Sequence, residues 1–389
     1  MINGLKLRNE ELLLCRLCRM SFDPENIPGL RSMAEKITDW NSFSDLAANH
    51  GIAALIYNNM ASLGLLQFVP PDIKEILRNS LLTNIARNTG FIEKTSWVSE
   101  LLNNYGIKIV LLKGLALELS VYGNTGLRQM TDVDILVRRE ESLKARKILI
   151  ENGFISHPLK STLYKPILAY AGKHLPTLTK EGFAIEIHNE LFGKKNSFLT
   201  QKLLDDSYET EIKGAKVFIP DPLMFFLYLV KHLWLHEMNN ESQLRLYADL
   251  VALIGKHPDK IFDSCLTDLA IKADLHEILA SHLRPLKDIW GISFPGQLND
   301  FFEKWSAPDT ISKFIFFIKN PKNNPQTNRA ELYRYHLGEI PGFHRRLLFI
   351  LGDLFPTPEF MKRRYGCNSK LGTLMYYPLR WGKLWYLIK

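Results

Sequence analysis

The sequence predicts an α+β fold in which a small mixed sheet with helices is flanked by N-terminal and C-terminal helical regions. Apolar residues recur at helical spacing before residue 105 and again from residue 221. Between these regions, short segments are either apolar runs rich in β-branched residues or alternations of polar with apolar residues, as is typical of strands. We therefore expect helical regions at residues 1–105 and 221–389, and a core with the sheet at residues 106–220.

The first region is expected to consist of amphipathic helices. The segment WNSFSDLAANHGIAALIYNNMASLGLL has apolar residues at helical spacing, with a break near Gly51. Pro70 and Pro71 then open a long amphipathic helix, because proline is well tolerated at the first helical position. Cys15 and Cys18 have CxxC spacing, but no second pair completes a zinc set, so we interpret them as small core residues on a helix.

Three buried strands are predicted in the central region. They are IKIVLLKG at residues 107–114, TDVDILV at 131–137 and FAIEIHNEL at 183–191. ALELSVYGN, after the first strand, is expected to be a helix closed by Gly123. REESLKARKILIENGF, after the second, is expected to be an amphipathic helix stopped by Gly153.

The last region returns to helical spacing. DPLMFFLYLVKHLWLHE begins with an Asp cap and a proline at the first helical position, and residues 319–328 are predicted to be a polar loop. The tail from about residue 330 is basic and aromatic. It could stack on nucleic-acid bases or lie on a membrane surface, but we favour an aromatic helix that docks on the core.

Composition and charge limit the class of protein. The chain is 46% hydrophobic and 23% charged, as in ordinary globular proteins, and its net charge of +8 comes from Lys and Arg spread along the sequence. Its four cysteines imply no disulfide framework, which suits a reducing compartment. The start has no signal peptide, and no stretch of about 20 apolar residues could span a membrane. We expect a cytoplasmic protein.

The pattern T-D-V-D-I-L-V carries the strongest chemical signal. Residues two apart on a strand point to the same face, so Asp132 and Asp134 place two carboxylates side by side. Two like charges at such a short distance repel each other and resist burial. A bound divalent cation removes this electrostatic penalty. Magnesium prefers carboxylate oxygens together with substrate phosphates. The alternative is two exposed aspartates on an edge strand.

A third carboxylate would complete such a centre as a metal ligand or general base. Glu186 is the best candidate, because it lies on the third predicted strand between isoleucines and should share a face with His188. An isolated glutamate on a strand could equally face solvent.

Several further residues are candidates for binding phosphates. Gly114 follows a strand and precedes a helix, where backbone N–H groups can approach a phosphate closely, and Lys113 could add charge. Arg128 lies four residues before the first aspartate and could hold a phosphate with its planar fork. His174 or its neighbour Lys173 could face the donor phosphates. The alternatives are that Lys113 is only solvated, that Arg128 forms a surface ion pair and that His174 is structural.

Two helical pairs with a spacing of four are interpreted as structural. His232 and His236 could bind zinc, but no HExxH pattern is present, so we favour a packed or cleft-lining pair. Arg245 and Asp249 are explained by an ion pair within one helix.

The chain resembles the nucleotidyltransferase superfamily of DNA polymerase β. The resemblance lies in the order of its motifs, which are KG, a helix, R…DxDILV and a later ExH. Within this superfamily, the chain resembles a large bacterial group of uncharacterised nucleotidyltransferases over most of residues 35–260. The broader superfamily has a glycine-serine pair where this chain has Gly114 and Leu115. A serine hydroxyl on the triphosphate is therefore missing, and the group's frequent KG suggests Lys113 for that role.

The resemblance implies a small mixed nucleotidyltransferase sheet, Mg²⁺ or Mn²⁺, and an NTP such as ATP as donor. Asp132, Asp134 and Glu186 would hold the metal and catalyse nucleotidyl transfer to a hydroxyl or phosphate, while Lys113, Gly114, Arg128 and His174 would bind the nucleotide. The acceptor would be a peptide, a small molecule or a saccharide, and nucleic acid is less favoured. The alternatives are glycosyl transfer from a nucleotide sugar and a non-catalytic nucleotide-sensing or toxin-neutralising protein.

Overall fold

The computed structural model describes residues 6–172, 174–239, 241, 243–321, 329–366 and 370–388. The helices are α1 (Asn9–Leu17), α2 (Ile27–Glu35), α3 (Trp40–Asn49), α4 (Ala53–Ser62), α5 (Pro71–Asn103), α6 (Lys113–Leu117), α7 (Arg139–Glu151), α8 (Ser197–Asp205), α9 (Pro222–Met238), α10 (Leu244–Lys256), α11 (Pro258–Ile261), α12 (Cys265–Lys272), α13 (His276–Asp288), α14 (Gly296–Trp305), α15 (Thr310–Lys319), α16 (Arg329–Glu339), α17 (Phe343–Leu354), α18 (Pro358–Tyr365) and α19 (Lys370–Ile388). The strands are β1 (Val110–Leu112), β2 (Val133–Leu136), β3 (Ile155–Ser156), β4 (Leu178–Lys180), β5 (Phe183–His188), β6 (Tyr208–Ile212) and β7 (Ala215–Ile219).

The strands form one mixed sheet in the order β3-β4-β5-β2-β1-β7-β6. β2 pairs antiparallel with β1 and parallel with β5, and β1 pairs parallel with β7. The central strands β1 and β2 are buried along their whole length, β1 as an apolar run and β2 with Asp134 buried among apolar residues. The α+β prediction is confirmed, with helices before and after the sheet.

Helix α5 connects the N-terminal helices to the sheet. Pro71 occupies its first position, where the missing N–H would have no partner within the helix. Phe91 of this helix meets Phe183 of β5 edge to face, with ring centroids 5.7 Å apart. Buried apolar residues from α1 through α15 and from the sheet form one continuous core. Cys15 and Cys18 are fully buried in it, while Cys367 lies outside the described residues.

The three predicted strands are confirmed, but four others were not predicted. The predicted run at 107–114 was also too long, because the strand ends at Leu112 and Lys113 already begins α6. The unpredicted strands belong to hairpins or to the sheet edge. β4 and β5 are joined by a two-residue turn at Glu181–Gly182, where both residues have positive φ, as such hairpin turns require.

Both predicted helix ends are glycines in the left-handed region. Gly123 has φ +64° after a π-helical turn at Glu118–Tyr122, and Gly153 has φ +90° beyond α7. Residues 322–328 of the predicted polar loop lie outside the described part of the chain. The basic aromatic tail forms α16, α17, α18 and α19, and none of the described helices is long and apolar enough to cross a membrane.

Candidate active site

The register of the central strands brings the predicted acidic residues together. Asp134 on β2 lies directly opposite Glu186 on the parallel strand β5, and it also pairs with Leu112 on β1. His188 follows Glu186 by two residues and therefore lies on the same face of β5. The atoms that Asp134, Glu186 and His188 could offer to a metal ion all lie within 4.8 Å of one another.

Asp134 is buried, as is His188 beside it. Its Oδ1 accepts a hydrogen bond from Lys113 Nζ at 2.6 Å and lies 2.7 Å from His188 Nε2. Burial would raise the pKa of Asp134, but the Lys113 ammonium and the His188 contact outweigh it and hold the pKa well below its usual range. Burial and the charge of Lys113 lower the pKa of His188 to about 4. The imidazole is therefore neutral at pH 7, and its Nε2 donates to the carboxylate.

Glu186 lies beside Asp134 in a more open position, with 15% of its side chain exposed. Its Oε1 accepts a hydrogen bond from Thr177 Oγ1 at 3.0 Å, and its Oε2 lies 3.3 Å from His174 Nε2. Burial raises the pKa of Glu186; the nearby His174 opposes this, and the charge of Asp134 adds to it. A carboxylate with a raised pKa and an open side is suited to accepting a proton.

Asp132 lies beside the cluster but outside the group within 4.8 Å. Its Oδ1 accepts a hydrogen bond from Thr131 Oγ1 at 3.1 Å, and its side chain is partly exposed. Burial and then the charge of Asp134 raise the pKa of Asp132. It is therefore close enough to Asp134 to interact through charge, and it keeps access to solvent.

A cavity of about 580 Å³ opens over the cluster. It is lined by all seven residues that the sequence singled out: Lys113, Gly114, Arg128, Asp132, Asp134, His174 and Glu186. Lys173, the alternative to His174, lies outside the described residues. The opposite wall comes from α16 and α17, through Tyr335, His336, Glu339 and Phe349.

Lys113 adopts an unusual backbone conformation at the edge of this cavity. Its φ is +46°, in the left-handed region that favours glycine. The ion pair with Asp134 holds its side chain over the cluster, and the charge of Asp134 raises the pKa of Lys113 despite the opposing effect of burial. Residues held in such a conformation concentrate at functional sites.

Gly114 is required by packing. A Cβ at this position would lie 2.6 Å from Met130 Cγ and 2.7 Å from Arg128 Nη1. The absence of a side chain therefore lets Arg128 lie against the start of α6, next to Lys113.

Arg128 forms an ion pair, the alternative given for it in the sequence, but the pair is buried rather than at the surface. Its guanidinium holds Asp249 of α10, with Nη2 2.8 Å from Oδ2 and Nε 3.1 Å from Oδ1. The predicted pair of Arg245 with Asp249 was wrong, because Arg245 instead donates to Gln129 O at 2.8 Å and to Gln243 Oε1 at 2.9 Å. Asp249 faces the sheet region, where the planar fork of Arg128 satisfies both of its oxygens.

His232 and His236 pack against each other on α9, with ring centroids 4.4 Å apart, and both line the cavity. Their spacing therefore gives a cleft-lining pair packed edge to face, which agrees with the packed or cleft-lining pair that the sequence favoured.

The model of one protein family, described as uncharacterised nucleotidyltransferase, matches residues 36–291. The match covers more than half of the chain, including the sheet and every residue of the acidic cluster. The chain belongs to this nucleotidyltransferase family. It is therefore an enzyme of the nucleotidyl-transfer class, and the suspected resemblance is confirmed.

Other comparisons add little about this nucleotidyltransferase. No curated protein matches the chain. A solved structure described as "tRNA-processing enzyme (apo form I)" shares 13% identity, with 77% of this chain and 91% of that chain covered and a TM-score of 0.23.

Some residues of the nucleotidyltransferase cavity were not predicted. The alternation that selected Glu186 on β5 continues through His188 to Glu190, which also lines the cavity and pairs with Arg139 at 2.9 Å. That pattern was available in the sequence. No sequence pattern indicated that α16 and α17 form a wall of the cavity. These helices lie beyond the matched segment and reach the sheet only through the tertiary fold.

The donor set fits a small divalent cation. Asp134 and Glu186 offer carboxylate oxygens, which Mg²⁺ and Mn²⁺ prefer, and Asp132 adds another within the same cavity. The Lys113 ammonium already contacts Asp134 Oδ1, so the cluster attracts positive charge. His188 Nε2 contacts the same oxygen, Asp134 Oδ1, and orients the carboxylate.

Proposed function

We propose that this nucleotidyltransferase moves a nucleotidyl group from an NTP to a hydroxyl or phosphate of an acceptor, with release of pyrophosphate, in a reaction that requires Mg²⁺ or Mn²⁺. One observation carries the proposal: Asp134 and Glu186 face each other on adjacent strands beneath a cavity large enough for a nucleotide. The acceptor would be a peptide, a small molecule or a saccharide.

In this reaction an acceptor oxygen forms a bond to the α-phosphorus of the NTP while the bond to the pyrophosphate oxygen breaks. The divalent cation, when bound, would neutralise charge on the transferring group and the leaving group. Asp132, Asp134 and Glu186 are proposed to hold it. Glu186 is also suited to taking the acceptor's proton, because its pKa is raised and its side chain is partly open to the cavity.

The cations along one side of the cavity are proposed to bind the phosphates. Lys113 and Arg128 flank Gly114, and His174 lies across the acidic cluster. We add Arg245, whose Nε is buried without an acceptor among the described residues. Burial and the charge of Arg128 lower the pKa of Arg245 to about 10, as expected for a cation that lacks a full counter-charge. A phosphate oxygen of the nucleotide would supply this counter-charge.

We propose that the three regions of the chain are divided at residues 105 and 220. The acceptor cleft would then lie where the helical regions meet the core. Tyr335 and Phe349 supply apolar surface there, and Glu339 supplies a carboxylate. Glu339 Oε2 accepts a hydrogen bond from the backbone N–H of Lys194 at 2.6 Å, which fixes α16 over the cavity.

The proposal is tested by calorimetric titration of each of the four NTPs, with and without Mg²⁺, into the wild type and into Asp134→Asn and Glu186→Gln. We expect one or more NTPs to bind only with Mg²⁺, and both variants to lose that dependence. Asp205→Asn, at an exposed surface pair with Arg138, is the matched control and should bind like the wild type.

Turnover is measured as pyrophosphate release from the bound NTP, with pooled small-molecule and peptide fractions as acceptors. Removing one of the proposed metal ligands should lower the rate at least a hundredfold. Absence of metal-linked NTP binding, combined with binding of a nucleotide sugar, would reject nucleotidyl transfer in favour of glycosyl transfer. Full activity of Asp134→Asn would reject catalysis at this cluster.

A further inference from the structure

The C-terminal end of the chain holds most of the excess positive charge. Residues 343–389 contain nine lysine and arginine residues against two acidic ones, so this segment carries +7 of the chain's net +8. The sequence of α19 contains no acidic residue. Such an excess makes this end of the molecule attractive to an anionic surface.

Helix α19 packs against α16, α17 and α18. Tyr377 Oη donates to Pro356 O and Arg380 Nε donates to Asp353 O, both at 2.7 Å. Trp381 Nε1 donates to Leu354 O at 2.9 Å. These bonds attach the helix to the end of α17, so the opposite face has a defined orientation.

Apolar side chains of α19 are open to solvent: Met375 and Leu379 lie opposite the bonded residues, and Leu374 lies on the same side as Trp381. Leu374, Met375 and Leu379 are 63%, 71% and 59% exposed, and Met375 and Leu379 are one helical turn apart. The exposed Pro378 lies between them in the sequence. Three adjacent aliphatic side chains this exposed form a patch of the kind that usually marks an interaction surface.

A basic cluster lies next to this patch. Lys362, Arg363 and Arg364 are exposed at the end of α18. The ring of Tyr365, the next residue, stacks on Tyr376 of α19 with centroids 4.7 Å apart. The contact brings the three cations beside the start of the apolar face.

We propose that α18 and α19 attach the enzyme to an anionic lipid surface. Leu374, Met375 and Leu379 would enter the boundary between headgroups and acyl chains, and Lys362, Arg363 and Arg364 would contact lipid phosphates. An apolar face bordered by lysine and arginine fits such a boundary. A nucleic acid fits it less well, because aliphatic side chains neither stack on bases nor hydrogen-bond to phosphates.

The surface is tested by sedimentation of the full chain with vesicles of phosphatidylglycerol and phosphatidylcholine, and with vesicles of phosphatidylcholine alone. We expect binding to the anionic vesicles that weakens as salt is added. Leu374→Gln/Met375→Gln/Leu379→Gln should lower the partition coefficient at least tenfold. Lys362→Gln/Arg363→Gln/Arg364→Gln should lower it at least tenfold and reduce the salt dependence.

Ile76→Gln/Leu82→Gln is the matched control, because these residues on α5 are 49% and 48% exposed and lie outside the proposed surface. It should bind vesicles like the wild type. Circular dichroism and thermal unfolding establish that each variant is folded. Quenching of tryptophan fluorescence by brominated phosphatidylglycerol, reduced in Trp381→Phe, would place α19 at the lipid without disturbing the apolar patch.

Three outcomes would overturn the proposal. They are failure of the wild type to bind anionic vesicles, equal binding to phosphatidylcholine alone, and an equal loss in the α5 control. Binding of a single-stranded oligonucleotide that depends on the same residues, without vesicle binding, would assign the surface to nucleic acid instead.

Discussion

Arg128 and Asp249 form a buried ion pair that joins the sheet region to the C-terminal helical region across 121 positions of sequence. Only 8% of the arginine side chain and 1% of the aspartate side chain are exposed. Tyr122 adds a hydrogen bond to Asp249 Oδ1 at 2.9 Å. Helix α10 is thereby fixed beside the cavity, with Arg245 on the same helix close to the acidic cluster.

Asp249→Asn should destabilise the fold strongly, because it leaves the Arg128 guanidinium buried without its counter-charge. We expect the free energy of unfolding to fall by about 3–5 kcal/mol, measured by urea denaturation. Asp288→Asn, in the more exposed pair with Arg284 on α13, should change it by less than about 0.5 kcal/mol. Equal losses in the two variants would show that the buried pair has no special role.

Gly114→Ala should lower both stability and nucleotide affinity. The added methyl group would overlap Met130 and Arg128, and overpacking of this kind costs about 1–3 kcal/mol. Gly90→Ala is the control, since a Cβ there meets nothing within 4 Å and alanine favours the helix by up to about 1 kcal/mol. Met130→Ala should restore part of the stability lost in Gly114→Ala. A fully stable Gly114→Ala protein would contradict the packing argument.

Lys113→Met should increase the effect of metal on stability. Without the ammonium 2.6 Å from Asp134, the carboxylates of the cluster repel one another, and a cation no longer competes with a lysine for the same oxygen. Titration with Mg²⁺ should therefore raise the melting temperature more in the variant than in the wild type. Turnover should nevertheless fall, because the proposed phosphate contact is lost.

Lys94→Met removes a partly exposed lysine whose Nζ donates to the Glu181 carbonyl, and serves as control for that experiment. Its response to Mg²⁺ should match the wild type. A Mg²⁺ response of Lys113→Met that is no larger than that of the wild type would argue against a cation site at Asp134.

Glu118 should make stability depend on pH. Burial raises the pKa of Glu118 to about 7 in the folded protein, against hydrogen bonds from Asn88 and Gly126 that lower it. The folded state thus binds this proton more tightly than the unfolded state, whose carboxyl has its ordinary pKa. The contribution is fully present at pH below about 4.5 and is lost as pH rises to about 7.

Glu118→Gln should remove that dependence. The difference in the free energy of unfolding between wild type and variant should change by roughly 2–3 kcal/mol between pH 5 and pH 8, measured by denaturation in buffers of equal ionic strength. Glu100→Gln, at an exposed position on α5, should give a difference that does not vary with pH. A constant difference for Glu118→Gln would mean that the carboxyl titrates normally.

The central strands could be predicted because their signals are local. Apolar runs around residues 110 and 135 and the alternation around Glu186 are each contained in a few residues. The hairpin of β6 and β7 was missed because charged residues interrupt YETEIKGAKVFI. The Lys213–Gly214 pair between the two strands is a sequence signal that could have identified the hairpin. Both residues have positive φ in the structure, as two-residue hairpin turns require.

The partners of the predicted side chains could not be derived in the same way. Alternation placed Glu186 on one face of a strand, but its position opposite Asp134 depends on a parallel pairing of strands 52 residues apart. The pairing of Arg128 with Asp249 depends likewise on how α10 packs against the core. The spacing of Arg245 and Asp249 suggested the wrong pair, because a helix brings both within reach of each other whether or not they bond.

The two walls of the cavity come from different segments of the chain. The acidic cluster belongs to the segment that matches the family, and Tyr335, Glu339 and Phe349 come from helices beyond residue 291. Substitutions in those helices can reshape one side of the pocket while the strands stay unchanged. Variants confined to these helices would therefore separate the choice of acceptor from the chemistry of the acidic cluster.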